Sequence, residues 1–336
     1  MDLSAMDFAY VVTLAEQQTV FALVMDALND VQINDMEDKM PLYEAIGVME
    51  QIKQQNRIVN AELADFSSIC EANGLEYLMV KGQSIACLYP KPELRMSGDI
   101  DFLVHVSHFN FQDFAGALGV EIPKMVEYEV GFDRNDIRYE LHTSLRGWAK
   151  KKHQEVWDAL IEKEWEQEHY AEIAGQKVRT LSPTLNAAYV FIHLFFHFIR
   201  EGVSLRQMCD WAMVLHHYRG EIDRERLMQI LLDLGLFDAY RVFGTILVDK
   251  LGLPIMEFPV PINDEDRKWQ EKILDDIFRG GNFGMLNHEA SSSWKYKAET
   301  FCVALRNSFK YYKLCPSEVG GMIPRLMKIN IKVLFS

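Results

Sequence analysis

At 336 residues, with 49% hydrophobic and 25% charged side chains, the chain has room for two or three packed units and a sizeable core. A formal net charge of −14 argues against a broad nucleic-acid or anionic-membrane surface, since either needs a basic field. Five widely spaced cysteines (Cys70, Cys87, Cys209, Cys302 and Cys315) lack any CxxC and read as reduced thiols of a cytoplasmic protein rather than a disulfide framework.

Met1-Asp2-Leu3-Ser4 has neither the basic start nor the apolar run of a signal peptide, and Glu16-Gln17-Gln18 interrupts the apolar run of Phe8 to Leu28. No membrane association and a cytoplasmic location are therefore expected. Residues 8–28 read as one helix with a broad apolar stripe, followed by an acidic connection (Asp30, Asp35, Glu37, Asp38). Pro41 suits the first turn of a second helix. Its apolar positions, Ala45, Val48, Met49, Ile52, Val59, Leu63, Phe66 and Ile69, mostly recur every three to four residues, and Asn73-Gly74 stops it. Residues 76–80 read as a strand. Ser107 is placed to cap a helix running to about Leu118 and ending at Gly119. Residues 125–132 and 137–143 are strand-like, joined by the turn-forming set Asp133-Arg134-Asn135-Asp136. In the second of these, Ile137, Tyr139 and Leu141 face one way and Arg138, Glu140 and His142 the other. Another hairpin is expected from residues 169–173 and 177–181 about Ala174-Gly175.

From Ser182-Pro183 onward helical periodicity dominates. An apolar helix is expected from Thr184 to Arg200 and another from about Leu205 to Tyr218, with later interruptions at residues 254–261, at Gly280–Gly284 and near Pro316. The expected class is α+β: a helical cap (1–74), a small mixed-sheet core with hairpins (75–181) and an all-helical half (182–336). From Arg306 onward six Lys/Arg (Arg306, Lys310, Lys313, Arg325, Lys328, Lys332) face Glu318 alone, a basic stretch expected against an acidic face of its own protein or at a polyanionic substrate.

The chemistry concentrates between Tyr77 and Val104. An apolar strand leads into Lys81-Gly82-Gln83-Ser84, and a second begins Asp99-Ile100-Asp101-Phe102-Leu103-Val104. In an extended strand Asp99 and Asp101 share a face, and two adjacent carboxylates repel unless a cation lies between them. Oxygen-rich pairs suit Mg²⁺, which also binds substrate phosphates. Gly82 allows close backbone approach to a ligand, Ser84 and nearby N–H groups suit phosphate oxygens, and Lys81 and Arg95 would neutralise a triphosphate. Such a site points to metal-dependent phosphoryl or nucleotidyl transfer.

A strand, a Gly/Ser turn and D-x-D on the next strand resemble the DNA polymerase beta–type nucleotidyltransferase superfamily. The fuller set, VKGQS…LYPKPELRMSGDIDFLV, YELHTSL, LSPTLNAAYVFIHLFFHFI, GVSLRQMCDWAMVL and GGNFG, is similar to a bacterial family of uncharacterised nucleotidyltransferases, from about residue 60 into the C-terminal region. The resemblance implies a minimal nucleotidyltransferase core, two Mg²⁺ ions, an NTP donor (ATP by default) and transfer of a nucleoside monophosphate. It also implies a third carboxylate on a later strand, which matches Glu140. That group would complete a metal's shell or act as general base, with His142 on the same face to orient the acceptor or a phosphate. The superfamily usually has Gly and Ser adjacent, whereas Gln83 intervenes here. The acceptor, a small hydroxyl compound or a protein side chain, is expected at the helical half, and no long nucleic acid is expected as partner.

Other constellations are weaker. His193 and His197, four apart, have metal-binding spacing, but no H-E-x-x-H pattern accompanies them and Phe191, Phe195, Phe196 and Phe198 surround them. Core histidines are expected, with lining of a base or acceptor pocket as the alternative. Arg206 and Asp210 have the spacing of an intrahelical pair, Lys150-Lys151-Lys152 reads as a solvated helix start, and Gly280–Gly284 reads as a turn. Two alternatives to transfer remain: a non-catalytic nucleotide-binding regulatory or interaction protein, and a metal-dependent phosphohydrolase.

Overall fold

The computed structural model describes residues 8–29, 40–287 and 293–321. The acidic connection at residues 30–38 and the basic residues Arg325, Lys328 and Lys332 lie outside them. The chain divides into two compact units: Met1–Glu16 with Val20–Gly147 and Lys163–Ser182, and Gln17–Thr19 with Trp148–Glu162 and Pro183–Ser336.

Where one N-terminal helix is expected there are two, α1 (Phe8–Gln17) and α2 (Phe21–Asn29). The break has a tertiary cause. Gln18 is buried, its side chain accepts from Leu205 N at 3.1 Å and donates to Ile277 O at 3.4 Å, and Thr19 takes φ 53°. The long α3 (Met40–Ala72) follows, then β1 (Tyr77–Met79), the short α4 (Gly82–Ala86), β2 (Ile100–Val104), α5 (Phe111–Leu118), β3 (Glu129–Arg134) and β4 (Ile137–His142). The cap of α5 is Asn110, accepting from Gln112 N at 2.9 Å, while residues 106–108 form a separate 3₁₀ turn. Gly119 ends the helix at φ 66°, as expected. Asn135 and Asp136, at φ 50° and 62°, make the tight hairpin turn between β3 and β4.

The sheet order is β1-β2-β4-β3, with β2 antiparallel to β1 and parallel to β4, so the sheet is mixed. All five residues of β2 are buried, which suits a central strand. One face of the sheet presents Phe102, Tyr139 and Leu141 to Val59, Leu63 and Phe66 of α3 and Phe114 of α5. Phe66 is the hub, its ring 5.1 Å from Phe102 and 5.3 Å from Tyr139. Truncating such a side chain to Ala costs about 3–5 kcal/mol. Because alternate side chains take opposite faces, an apolar face facing α3 leaves Asp101, Glu140 and His142 together on the other. A second hairpin, β5 (Tyr170–Ile173) with β6 (Gln176–Arg179), belongs to the same unit.

The second unit is helical. It holds most of α6 (Lys151–Glu164) and then α7 (Pro183–Arg200), α8 (Leu205–His217), α9 (Arg224–Asp233), α10 (Phe237–Asp249), α11 (Asp264–Arg267), α12 (Gln270–Gly280) and α13 (Ser293–Tyr311). A helix apolar on most sides must be buried on most sides, and α7 is, with His193 and His197 half-buried and Arg200 exposed: Phe191 packs 4.8 Å from both Trp211 and Tyr240, and Phe198 packs 4.8 Å from Tyr311. Among the described residues no helix is long and apolar enough to cross a membrane.

Candidate active site

The site is built at the end of β1. Val80 N donates to Asp101 O at 3.0 Å and keeps the chain beside β2 as it leaves the strand. Lys81 (φ 56°, ψ −153°) and Gly82 (φ 46°) then turn the backbone sharply into α4. A Cβ on Gly82 would lie 3.1 Å from Asp99 O, so glycine serves both the conformation and the close approach to the second strand. Ser84 is buried, and its hydroxyl donates to Lys81 O at 2.7 Å, tightening the same turn. Gln83, the residue between Gly82 and Ser84, is buried too and bonds back to α3, donating to Asn60 Oδ1 and, at 3.4 Å, to Asn56 Oδ1. Asn56 donates in turn to Arg95 O at 2.8 Å. The inserted glutamine thus ties the turn and the approach to β2 to one helix, with Arg95 itself buried.

Register does the rest. Parallel pairing of β2 and β4 sets Asp101 directly opposite Glu140 and Leu103 opposite His142. Asp101, 3% exposed, takes two partners on Oδ1: the ammonium of Lys81 and, at 3.1 Å, His142 Nε2. His142 Nε2 lies 3.8 Å from Glu140 Oε2, and its buried Nδ1 has no hydrogen-bond partner, the nearest carboxylate oxygen being Glu129 Oε2 at 3.7 Å. Ligating atoms of Asp101, Glu140 and His142 all lie within 4.8 Å of one another. Asp99, half-buried just ahead of β2, stands outside that trio, although its charge reaches Glu140.

The two paired carboxyls differ electrostatically. Burial works to raise Asp101, but the Lys81 ammonium and the His142 hydrogen bond outweigh it and hold the carboxyl well below its usual range. Burial and then the Asp101 charge push Glu140 up to about 8, with Lys81 opposing. Beside Glu140 a hollow of about 440 Å³ opens, lined by Lys124, Glu129, Gly131 and Arg138 among others. Gly131 is opposite Glu140 in the register, and a side chain there would collide with the Arg138 guanidinium.

Two carboxylates and an imidazole Nε2 that converge fit a divalent cation. The oxygens suit Mg²⁺ or Mn²⁺, whereas the imidazole suits the later transition metals better. Among the described residues no other trio of His, Cys, Asp or Glu converges this way. His193 and His197 belong to the helical unit, their rings 4.3 Å apart and His197 Nδ1 3.4 Å from Glu201 Oε2. Asp210 is buried on α8, and Lys151 and Lys152 are exposed at the start of α6. One contact escaped sequence reasoning: Lys81 reaches Asp101 through a backbone conformation that residue propensities disfavour. His142 stands on the face of Glu140, as the period-2 pattern of β4 predicts, and its bond to Asp101 is what that pattern could not show.

A small mixed sheet with a glycine turn leading to paired carboxylates on adjacent strands defines an α+β protein of nucleotidyltransferase type. The chain belongs to the family described as uncharacterised nucleotidyltransferase, whose model matches residues 4–251. It is also similar to the crystal structure of an antigenic nucleotidyltransferase-like protein from Paracoccidioides brasiliensis, at 11% identity and a TM-score of 0.35, over 65% of this chain and 97% of that one, a likeness too slight to argue from. No protein with a curated description matches the chain.

Proposed function

We propose that the protein is a metal-dependent nucleotidyltransferase that moves a nucleoside monophosphate, AMP from ATP by default, to a hydroxyl of a small molecule or a protein. The observation that carries this reading is the Asp101–Glu140 pairing beside the Gly82 turn, with His142 alongside. Asp99, Asp101 and Glu140 would hold Mg²⁺, with His142 available to the same ion. The metal, when bound, supplies charge neutralisation for the triphosphate and the departing pyrophosphate.

The chain's own groups do the rest. Lys81 and Arg95 bring positive charge to the triphosphate, and the turn at Gly82 and Ser84 lets backbone approach it. Because the Ser84 hydroxyl already gives its proton to Lys81 O, the two cations are the principal phosphate contacts. Glu140, 34% exposed and bordering the hollow, would complete the metal's shell or, alternatively, take the proton of an acceptor hydroxyl. The acceptor oxygen then bonds to the α-phosphorus as the bond to pyrophosphate breaks in line, so catalysis consists of positioning and charge compensation.

Incubation with Mg²⁺ and α-labelled NTPs tests this. The expected products are pyrophosphate and a labelled acceptor. Orthophosphate release would point to hydrolysis instead, and neither product, with no metal-dependent nucleotide binding, would leave a regulatory binding protein.

A further inference from the structure

Lys81 occupies a backbone region, φ 56° and ψ −153°, otherwise left almost entirely to glycine. That conformation carries its ammonium onto Asp101, where both side chains are shielded, 13% and 3% exposed. The oxygen it contacts, Oδ1, is the one that also takes His142 Nε2. Asp101 in turn sits within ligand distance of Glu140 and His142. One positive charge is therefore already placed on the Asp101 carboxylate of that trio. An unpaired buried carboxylate is costly, and beside a second carboxylate more so. The ammonium compensates Asp101, but it also holds an oxygen that a divalent cation would need, and two cations at one oxygen repel each other.

From this juxtaposition we infer that Lys81 is the counter-ion of the metal-free site and must leave Asp101 before a divalent cation binds. The cation consequently loads together with the nucleotide, whose triphosphate oxygens give the released ammonium a new partner. This order of loading rests on the nucleotidyltransferase reading and adds to it. It makes Lys81 a positioning residue with two partners in sequence, Asp101 and then phosphate, and the Lys81-Gly82 turn the element that moves.

The test is equilibrium binding of Mn²⁺, followed by the loss of its free-ion paramagnetic resonance signal, with and without a non-hydrolysable ATP analogue. In the native protein the analogue should tighten Mn²⁺ binding by about ten-fold or more, within the usual range of coupling between sites. In Lys81→Met, Mn²⁺ alone should bind about ten-fold tighter than in the native protein, and the analogue's effect should fall to about three-fold or less. Lys81→Gly should behave alike, and because glycine accepts the native φ it covers the case in which Lys81→Met fails to fold. Mn²⁺ affinity and analogue coupling unchanged in both variants would overturn the inference while leaving the nucleotidyltransferase reading intact. No Mn²⁺ binding by native protein or variants, even with the analogue, would overturn both.

Discussion

Two carboxyls that face each other across one strand pair are held in opposite electrostatic states by their surroundings. Asp101 is enclosed and compensated by Lys81, whereas Glu140 is partly open and bears the repulsion of Asp101, Asp99 and Glu129. The consequence for chelator-treated protein has a definite sign. Glu140 is raised from 4.5 to about 8, so across that interval the folded state keeps a proton that the unfolded chain has released. Its contribution to stability therefore declines as pH rises from about 4.5 to 8. Asp101 acts the other way: its contribution is present above 3.8 and is lost only as acid carries pH down through its lowered folded value. Urea midpoints of metal-free protein between pH 5 and pH 8 should accordingly drift down, and Glu140→Gln should flatten the drift; an unchanged slope in that variant would remove Glu140 as its source. At this scale the sequence was informative about identities and uninformative about contacts. The alternation in β4 exposes Glu140 and His142 together, but nothing local says that Lys81 will take a glycine-like backbone to reach Asp101.

The elements are joined to the site by polar bolts buried against α3. Glu62, 7% exposed, accepts from the Arg134 guanidinium, from Asn135 Nδ2 at 2.8 Å and from Tyr139 Oη at 2.8 Å, pinning the β3–β4 hairpin that carries Glu140. Asp65 meets the same guanidinium but is 55% exposed. Removing a partner from a buried pair costs about 3–5 kcal/mol, whereas an exposed pair contributes about 0–1 kcal/mol. Glu62→Ala should therefore lower urea-unfolding stability by about 3 kcal/mol or more and Asp65→Ala by less than about 1 kcal/mol. Equal effects would contradict the clamp. Element types were legible because α3, α7 and β4 have strong periodicity, and boundaries were less so where long-range bonds decided them. Gln18 splits the first helix by bonding far along the chain. Asn110 displaces Ser107 as a cap because the apolar face of α5 starts at Phe111, beside it. Strand β3 begins at Glu129 because residues 126–129 close a tight loop of their own, with Glu127 at φ 58°. Parallel pairing of β2 with β4, the decisive element for the site, joins segments about forty residues apart and has no local signature.

At the scale of the molecule, an acidic α/β unit is followed in sequence by a helical unit whose interior is organised by α7. Buried Glu318 binds Ala149 N at 2.7 Å and His153 Nδ1 at 2.6 Å, tying the start of α6 to the far end of the described chain. Lys310, part of the basic stretch, pairs with Asp276 at 2.6 Å, both within the helical unit. A net charge of −14 argues against a broad basic polynucleotide-binding field and turns attention to the compact site on one face of the small sheet. On the proposed reading the site would serve one metal-assisted transfer, and the hollow beside Glu140 is assembled from β3, β4 and the loop before them, a juxtaposition with no local signature. On the proposed reading, Asp99 and Asp101 at the start of β2 help to hold the reaction's metal. The direct measurement is Mg²⁺-dependent pyrophosphate release from ATP by native protein and by an Asp99→Asn/Asp101→Asn double variant, with circular dichroism to verify the fold. Turnover in the native protein and a loss of about a thousand-fold or more in a folded variant is the expected result. Turnover unchanged in the variant would contradict the assignment and place the site elsewhere in the chain.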